Sequence, residues 1–136
     1  MRVTVSRHAH FNAAHRLYNP GWDAEKNKEV FGKCTNPRYH GHNYELIVHV
    51  NGEVDSETGY VVDMKWLADL IKVEIEDRYD HKNLNEEVEE FKNINPTAEN
   101  IAIAVWNRLN PHLDEEHSLK ITLYETPRNF VSYEGH

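Results

Sequence analysis

The stretch Cys34-Thr35-Asn36-Pro37-Arg38-Tyr39-His40-Gly41-His42-Asn43-Tyr44-Glu45-Leu46-Ile47-Val48-His49-Val50 decides the reading of this chain. Tyr44, Leu46, Val48 and Val50 alternate with Glu45, Ile47 and His49, the pattern of a strand with one face toward a core. His40 and His42 stand at its entrance. Alternate side chains of an extended segment point the same way, so both imidazoles can aim at one point, and Gly41 leaves room between them. Two imidazoles so placed make half of a metal site. Catalytic zinc usually takes three protein ligands and keeps one position open. The candidate for the third is His15, in Phe11-Asn12-Ala13-Ala14-His15-Arg16.

On the N-terminal side, residues 2 to about 15 read as another strand. Val3 and Val5 alternate with polar neighbours, and Phe11, Ala13 and His15 continue the period of two. Between the two strands, Asn19 to Arg38 contains Pro20, Gly21, Gly32 and Pro37 among many charges and reads as a long, functional loop. On the C-terminal side, Asn51-Gly52 is a turn signal, and Gly59 to Asp63 is a short strand or extended piece. A helix follows with Leu67, Leu70, Ile71 and Ile75 on one face, ending near Tyr79. Asp80-His81-Lys82-Asn83-Leu84-Asn85 is a polar connection. A second helix starts around Pro96-Thr97-Ala98-Glu99, with Thr97 as N-cap and Ile101, Ala102, Val105 and Leu109 as its buried stripe. Leu119, Ile121 and Leu123 mark a third strand ending at Glu125-Thr126-Pro127, and a last strand covers Phe130 to Tyr133. The expected architecture is one α+β domain over residues 1–136, with an antiparallel sheet and two helices on one face.

Composition narrows the function. The formal net charge is -8, from 15 Lys plus Arg against 23 Asp plus Glu, which argues against nonspecific nucleic-acid binding through a basic face. No apolar run reaches the roughly 18 residues of a membrane span, and the N-terminus lacks the apolar region of a secretory signal. A single cysteine cannot form an internal disulfide, so a reducing, cytoplasmic setting is expected. Arg16, Lys26, Lys28, Lys33 and Arg38 gather in one N-terminal region, where a small anionic ligand could find positive charge. Scattered surface lysines explain them equally well.

Four sets of side chains carry chemistry. His15, His40 and His42 suit zinc, against the plain alternative of turn histidines bonded to backbone. A second His-x-His, His8 and His10, lies outside the cysteine neighbourhood and is read as non-ligating. Cys34, beside Lys33, is a candidate thiolate, a candidate fourth zinc ligand or an apolar filler. Asp80 can fix the tautomer of His81 and raise its basicity, or the pair can simply cap a helix. Glu125 can accept paired N–H bonds from a flat heterocycle, or merely mark a strand end.

Taken together, these residues resemble the 6-pyruvoyltetrahydropterin synthase family. The matching pieces are Phe11 to Tyr18, Phe31-Gly32-Lys33-Cys34, His40 to Tyr44, Asp80 to Leu84, Thr97-Ala98-Glu99-Asn100 and Tyr124-Glu125-Thr126. They cover nearly the whole chain in order. The resemblance implies the tunnelling fold (T-fold), an antiparallel four-stranded sheet with two helices. Three subunits would join their sheets into a barrel, and two such rings would stack as a homohexamer with active sites at subunit interfaces. It implies a lyase acting on 7,8-dihydroneopterin triphosphate, which would eliminate triphosphate, rearrange the side chain and reduce the ring internally. His15, His40 and His42 would hold Zn2+. Cys34 would be the general base or acid, and Asp80 with His81 a second proton relay, His81 coming from a neighbouring subunit. Glu125 would anchor the pterin, with Thr97 and Glu99 near its ring. From charge alone, Lys26, Lys28 or Arg38 would hold the triphosphate.

A related branch, the 6-carboxytetrahydropterin synthases of queuosine biosynthesis, uses the same substrate and zinc but releases acetaldehyde. In that branch the cysteine typically lies closer to the His-x-His. Here five residues separate Cys34 from His40, so pyruvoyl formation ranks first. Ala98 departs from the pattern by standing where threonine is often found. A non-catalytic pterin- or zinc-binding protein of the same fold is the reading from a different class. Loss of Cys34, His81 or a zinc histidine would favour it, and none is lost.

Overall fold

The computed structural model describes residues 1–136. Two long strands carry the sheet, β1 (Arg2–His15) and β2 (His40–Glu53). They pair antiparallel along their whole length, from Arg2 opposite Glu53 to His15 opposite His40. That register sets His15 directly against His40 at the open end of the hairpin. β4 (Ser118–Tyr124) pairs antiparallel with β2, and β5 (Phe130–Tyr133) with β4. These four strands are the expected antiparallel sheet.

A fifth strand, β3 (Lys82–Asn83), lies parallel to β1 at Ala13 and Ala14, giving the mixed order β3-β1-β2-β4-β5. Two polar residues carry no alternation, so nothing in the sequence announces it. It is placed by the backbone of His81, which has φ of 60° and donates its N–H to the Asn12 carbonyl at 2.7 Å.

One face of the sheet is apolar. Phe11 on β1, Tyr44, Leu46, Val48 and Val50 on β2, and Leu119, Ile121 and Leu123 on β4 are buried there. The helices cover this face. α2 (Met64–Ile71) runs through a π-helical stretch, Lys72–Glu76, into α3 (Asp77–Tyr79), so the helix ends where expected. Leu67, Ile71, Ile75 and Tyr79 are buried at four-residue spacing, which drifts around an α-helix of about 3.6 residues per turn. The wider π turn offsets that drift and keeps all four on the core. α5 (Ala98–Leu109) buries Ile101, Ala102, Val105 and Leu109, and the Thr97 hydroxyl caps it by accepting the Asn100 N–H at 3.1 Å.

Three local readings are corrected. The segment from Asn19 to Arg38 contains α1 (Ala24–Phe31) and a 3-10 turn, Gly32–Thr35. Its stability comes from a buried polar hub: the Asn27 amide donates to the Asn19, Trp22 and Asp23 carbonyls. No apolar stripe marks such a helix. Asn51-Gly52 is not a turn but part of β2. Gly52 is required there because a Cβ would lie 2.5 Å from the His117 ring. The chain turns instead at Asp55, whose carboxylate accepts the Glu57 and Thr58 N–H groups, and Gly59 to Asp63 forms no strand. Leu84–Glu87 adds a short helix, α4, capped by Asn83.

Away from the site, Glu90 ties α3 to α5. Its carboxylate accepts both Arg108 Nε at 2.6 Å and Nη2 at 2.7 Å, and also the Tyr79 hydroxyl at 2.8 Å. The Arg108 bonds hold the Glu90 carboxyl down at about 2, below its usual 4.5. A depressed carboxylate stabilises the fold fully above the unfolded value and loses that contribution as pH falls from about 4.5 through about 2. Glu90→Gln is therefore expected to cost on the order of 3 kcal/mol at pH 7, with the deficit closing below pH 3. Urea melts at pH 7 and pH 3 check this, and an unchanged deficit at the lower pH would refute the assignment.

Candidate active site

The register of β1 against β2 assembles three histidines at one end of the sheet. The ligand nitrogens of His15, His40 and His42 all lie within 4.8 Å of one another. His15 is fully buried, while His40 and His42 are half-buried. Two hydrogen bonds orient the His15 ring. Its Nδ1 lies 2.8 Å from the Pro96 carbonyl and 3.2 Å from the Tyr44 hydroxyl. The carbonyl can only accept, so Nδ1 carries the proton and Nε2 presents its lone pair. That Nε2 faces His40 Nε2 at 3.1 Å. Two nitrogens on one tetrahedral zinc would be about 3.3 Å apart, given bonds of about 2.0–2.1 Å.

Two further observations fit a metal ion held by this group. His42 Nε2 is buried without any hydrogen-bond partner, a cost that proteins rarely leave unmet. The His15 and His42 rings are also held neutral, as ligands must be. Burial, opposed by the Pro96 hydrogen bond and reinforced by His40 and His42, lowers His15 to about 4. Burial likewise lowers His42.

Cys34 lies in the 3-10 turn that follows α1 and is not part of the metal group. Its carbonyl accepts the Leu17 N–H at 2.7 Å, and Arg16 Nε donates to the next carbonyl, Thr35, at 2.8 Å. The Arg16 guanidinium in turn rests on the Tyr18 ring at 4.4 Å. The Lys33 neighbourhood was expected to favour thiolate, and the structure corrects this. Burial first, then the charge of Glu125, push the Cys34 thiol up.

Asp80 and His81 hang on the edge of β1 rather than capping a helix alone. Asp80 Oδ1 accepts the Asn12 N–H at 2.9 Å, and Oδ2 lies 3.0 Å from His81 Nδ1. The Asn12 bond and His81 hold the Asp80 carboxyl low. His81 Nδ1 thus donates to Asp80, which fixes the tautomer and leaves Nε2 of this exposed ring without a partner in the chain. A cavity of 450 Å³ brings His81 and Lys82 together with Gly41 and His42.

Glu125, Thr97 and Glu99 come together in a second cavity of 400 Å³, with Ala98 and Arg128 also in its wall. Glu125 borders a further cavity of 670 Å³ that includes His42 and Asn43, so it stands between the triad and the Thr97 pocket. The loop cations are elsewhere. Lys26 lies over the Trp22 ring at 4.4 Å, and neither it, Lys28 nor Arg38 lines any of these cavities. His8 and His10 do not join the histidine group, although His8 lines the 670 Å³ cavity with His42. The Pro96 carbonyl, Tyr44 and Arg16 were not foreseen as site residues. Tyr44 looked like any core tyrosine, and the Pro96 contact spans 81 positions of chain.

Comparison with known proteins agrees with this geometry. The sequence model of the family described as "6-pyruvoyl tetrahydropterin synthase" matches residues 4–136. The chain is 42% identical to the 6-pyruvoyl tetrahydrobiopterin synthase of Pongo abelii over 134 residues, 98% of this chain and 92% of that protein. It is 30% identical to the 6-carboxy-5,6,7,8-tetrahydropterin synthase of Rickettsia bellii over 148 aligned positions, 95% of this chain and 98% of that protein. The solved 6-pyruvoyl tetrahydropterin synthase of Caenorhabditis elegans superposes with a TM-score of 0.93 at 39% identity, covering 100% of this chain and 97% of that one. The fold, the three converging histidines and these relatives place the chain in the 6-pyruvoyl tetrahydropterin synthase family.

Proposed function

We propose that this protein is a zinc-dependent lyase that converts 7,8-dihydroneopterin triphosphate to 6-pyruvoyltetrahydropterin and releases triphosphate. The observation that carries the reading is the converging triad of His15, His40 and His42, in which burial keeps His15 and His42 neutral and leaves His42 Nε2 unpartnered. The triad would hold Zn2+, which when bound supplies Lewis acidity and makes neighbouring C–H and O–H protons easier to remove.

The chain's own groups do the proton transfers. Cys34 takes and returns a proton at the side-chain carbons. Its thiol must ionise first, against burial and the charge of Glu125. His81, oriented by Asp80, exchanges the second proton at Nε2. Glu125 accepts the amino and ring N–H groups of the pterin, and Thr97 and Glu99 border the ring in the same cavity. The Thr97 hydroxyl is engaged by the Asn100 N–H, which limits its share to a second hydrogen bond. No external redox cofactor is needed, because the side chain gives up what the ring gains.

We further propose a homohexamer of two stacked rings in the cytoplasm, with His81 serving the site of a neighbouring subunit. Most of β1 and all of β5 leave one edge free of partners, which favours pairing between copies. The Asp80–His81 pair lies on that same β1 edge. No helix is long and apolar enough to cross a membrane.

Product analysis tests the reading. The zinc-loaded protein should yield a pyruvoyl side chain without acetaldehyde from 7,8-dihydroneopterin triphosphate under anaerobic conditions. A carboxyl side chain with stoichiometric acetaldehyde would move the protein to the other branch, which the Rickettsia bellii relative represents. Tight pterin binding without turnover would establish a non-catalytic binding protein.

A further inference from the structure

His15 and His40 form the last rung of the β1–β2 ladder. The end of a hairpin is where backbone pairing opens most readily. No tight turn closes this one, because the chain from Arg16 to Tyr39 runs out through α1 and the Cys34 turn before it returns. The support comes from α4 instead. Asn85 grips Arg16, the residue after His15: its amide oxygen accepts the Arg16 N–H at 2.8 Å, and its amide nitrogen donates to the Arg16 carbonyl at 2.9 Å. The next residue, Glu86, accepts a hydrogen bond of 2.9 Å from the hydroxyl of Tyr39, the residue before His40. α4 is itself fixed. Leu84 is fully buried, the Asn83 side chain accepts the Glu86 N–H at 3.2 Å, and Glu87 accepts the Asn83 N–H at 2.7 Å.

Tyr39 also has a φ of 69°, in the left-handed region that glycine enters freely and a bulky side chain enters at a cost. A residue stays there only when its surroundings hold it. Its N–H donates to the Asn36 carbonyl at 3.0 Å, which closes the turn, and its phenol is tied to Glu86. We propose, on the metal reading given above, that Asn85, Glu86 and Tyr39 are positioning residues for the metal-binding histidines. They form a clasp in which one helical turn holds the residue after His15 and the residue before His40. The clasp reaches the thiol as well. Arg16 Nε donates to the Thr35 carbonyl at 2.8 Å, and the Leu17 N–H to the Cys34 carbonyl at 2.7 Å. Opening it loosens the last rung and the Cys34 turn together.

Two measurements decide the point. The first is the rate at which an excess of chelator removes zinc from the folded, loaded protein. Release through an opening of the last rung should be about fivefold faster in Tyr39→Phe and in Glu86→Ala, the effect of one net hydrogen bond. Asn85→Ala, which frees Arg16, should raise it by at least the same factor. Glu86→Gln keeps an acceptor for the phenol and should restore most of the parent rate. Tyr39→Phe combined with Glu86→Ala should be no faster than either alone, since both break one bond. The second is amide hydrogen exchange of the metal-free protein. In Tyr39→Phe the Leu17 amide should exchange about fivefold faster, while those of Glu57 and Thr58, bonded to Asp55 at the far end of the hairpin, keep the parent rate.

A contact that only adds to global stability would lower the urea midpoint and leave zinc release from the folded protein unchanged, and that result would overturn the clasp. So would Glu86→Gln releasing zinc as fast as Glu86→Ala, or Leu17 exchange unaltered in Tyr39→Phe. The functional reading fails separately. A parent whose zinc release depends on Tyr39 and Glu86 but which turns over no pterin keeps the clasp and loses the lyase. A parent that turns over pterin with zinc release untouched by these substitutions keeps the lyase and loses the clasp. A parent that takes up no zinc loses both.

Discussion

His42→Ala is expected to lose the metal and the activity while leaving the metal-free protein no less stable than the parent. One ligand of three accounts for roughly 3–5 kcal/mol of a metal-binding free energy of about 10–16 kcal/mol, so affinity falls by at least about a hundredfold. The stability half follows from the unpartnered His42 Nε2. That nitrogen costs free energy in the empty site, and alanine removes the cost. His15→Ala behaves differently. It also loses the metal, but it strips the Pro96 carbonyl of its donor and opens a buried cavity, so the metal-free protein should be less stable by about 2–4 kcal/mol. Metal content and urea melts of both variants, in chelator and in zinc, check the contrast. A His42→Ala protein that melts well below the parent in chelator would show that the ring is held for packing instead.

The same histidine gives the metal-free site an acid weakness. Burial keeps His15 at about 4 in the fold, whereas the unfolded chain takes up a proton near 6.5. Stability from this group is therefore complete above 6.5, declines as pH falls, and is fully lost below about 4. Glu90 begins its own decline at about 4.5, so the two losses run in sequence.

Cys34→Ala is expected to keep the metal and lose turnover by about 10²–10⁴-fold, the usual share of a positioned acid or base. Metal retention follows because the three histidine nitrogens converge without the sulfur. The thiol is not a cheap base, since burial and Glu125 both resist its ionisation. Glu125→Gln should accordingly raise the alkylation rate of Cys34 by iodoacetamide at neutral pH even as it weakens pterin binding. Zinc content, turnover and alkylation kinetics on these two variants separate the roles. Zinc loss in Cys34→Ala would instead mean a closed Cys-His structural site, and unchanged alkylation in Glu125→Gln would remove the electrostatic link.

Much of this was legible along the chain. The two-residue period of Tyr44 to Val50 and of Leu119 to Leu123 made strands, because a sheet with one buried face admits no other pattern. The stripes Leu67 to Ile75 and Ile101 to Leu109 made helices, and Thr97 was recognisable as a cap because its hydroxyl meets a local need. His40 and His42 were tied together by their own spacing. Elements held by polar contacts were not legible. α1 rests on the buried amide of Asn27 and β3 on the backbone of His81, and neither leaves a periodic trace.

What the sequence by itself determined is therefore the local half of the protein: strands, helices, the paired histidines and the set of reactive side chains. What only the tertiary structure decided is how distant groups meet. The antiparallel register puts His15 against His40, a carbonyl 81 positions away selects its tautomer, burial and then Glu125 raise the Cys34 thiol, and Lys82 rather than a loop lysine faces an open polar cavity. The physical reason is range. Periodicity and capping act within a few residues and are written in order along the chain, whereas hydrogen bonds, desolvation and Coulomb forces act through space and acquire partners only when the sheet has closed.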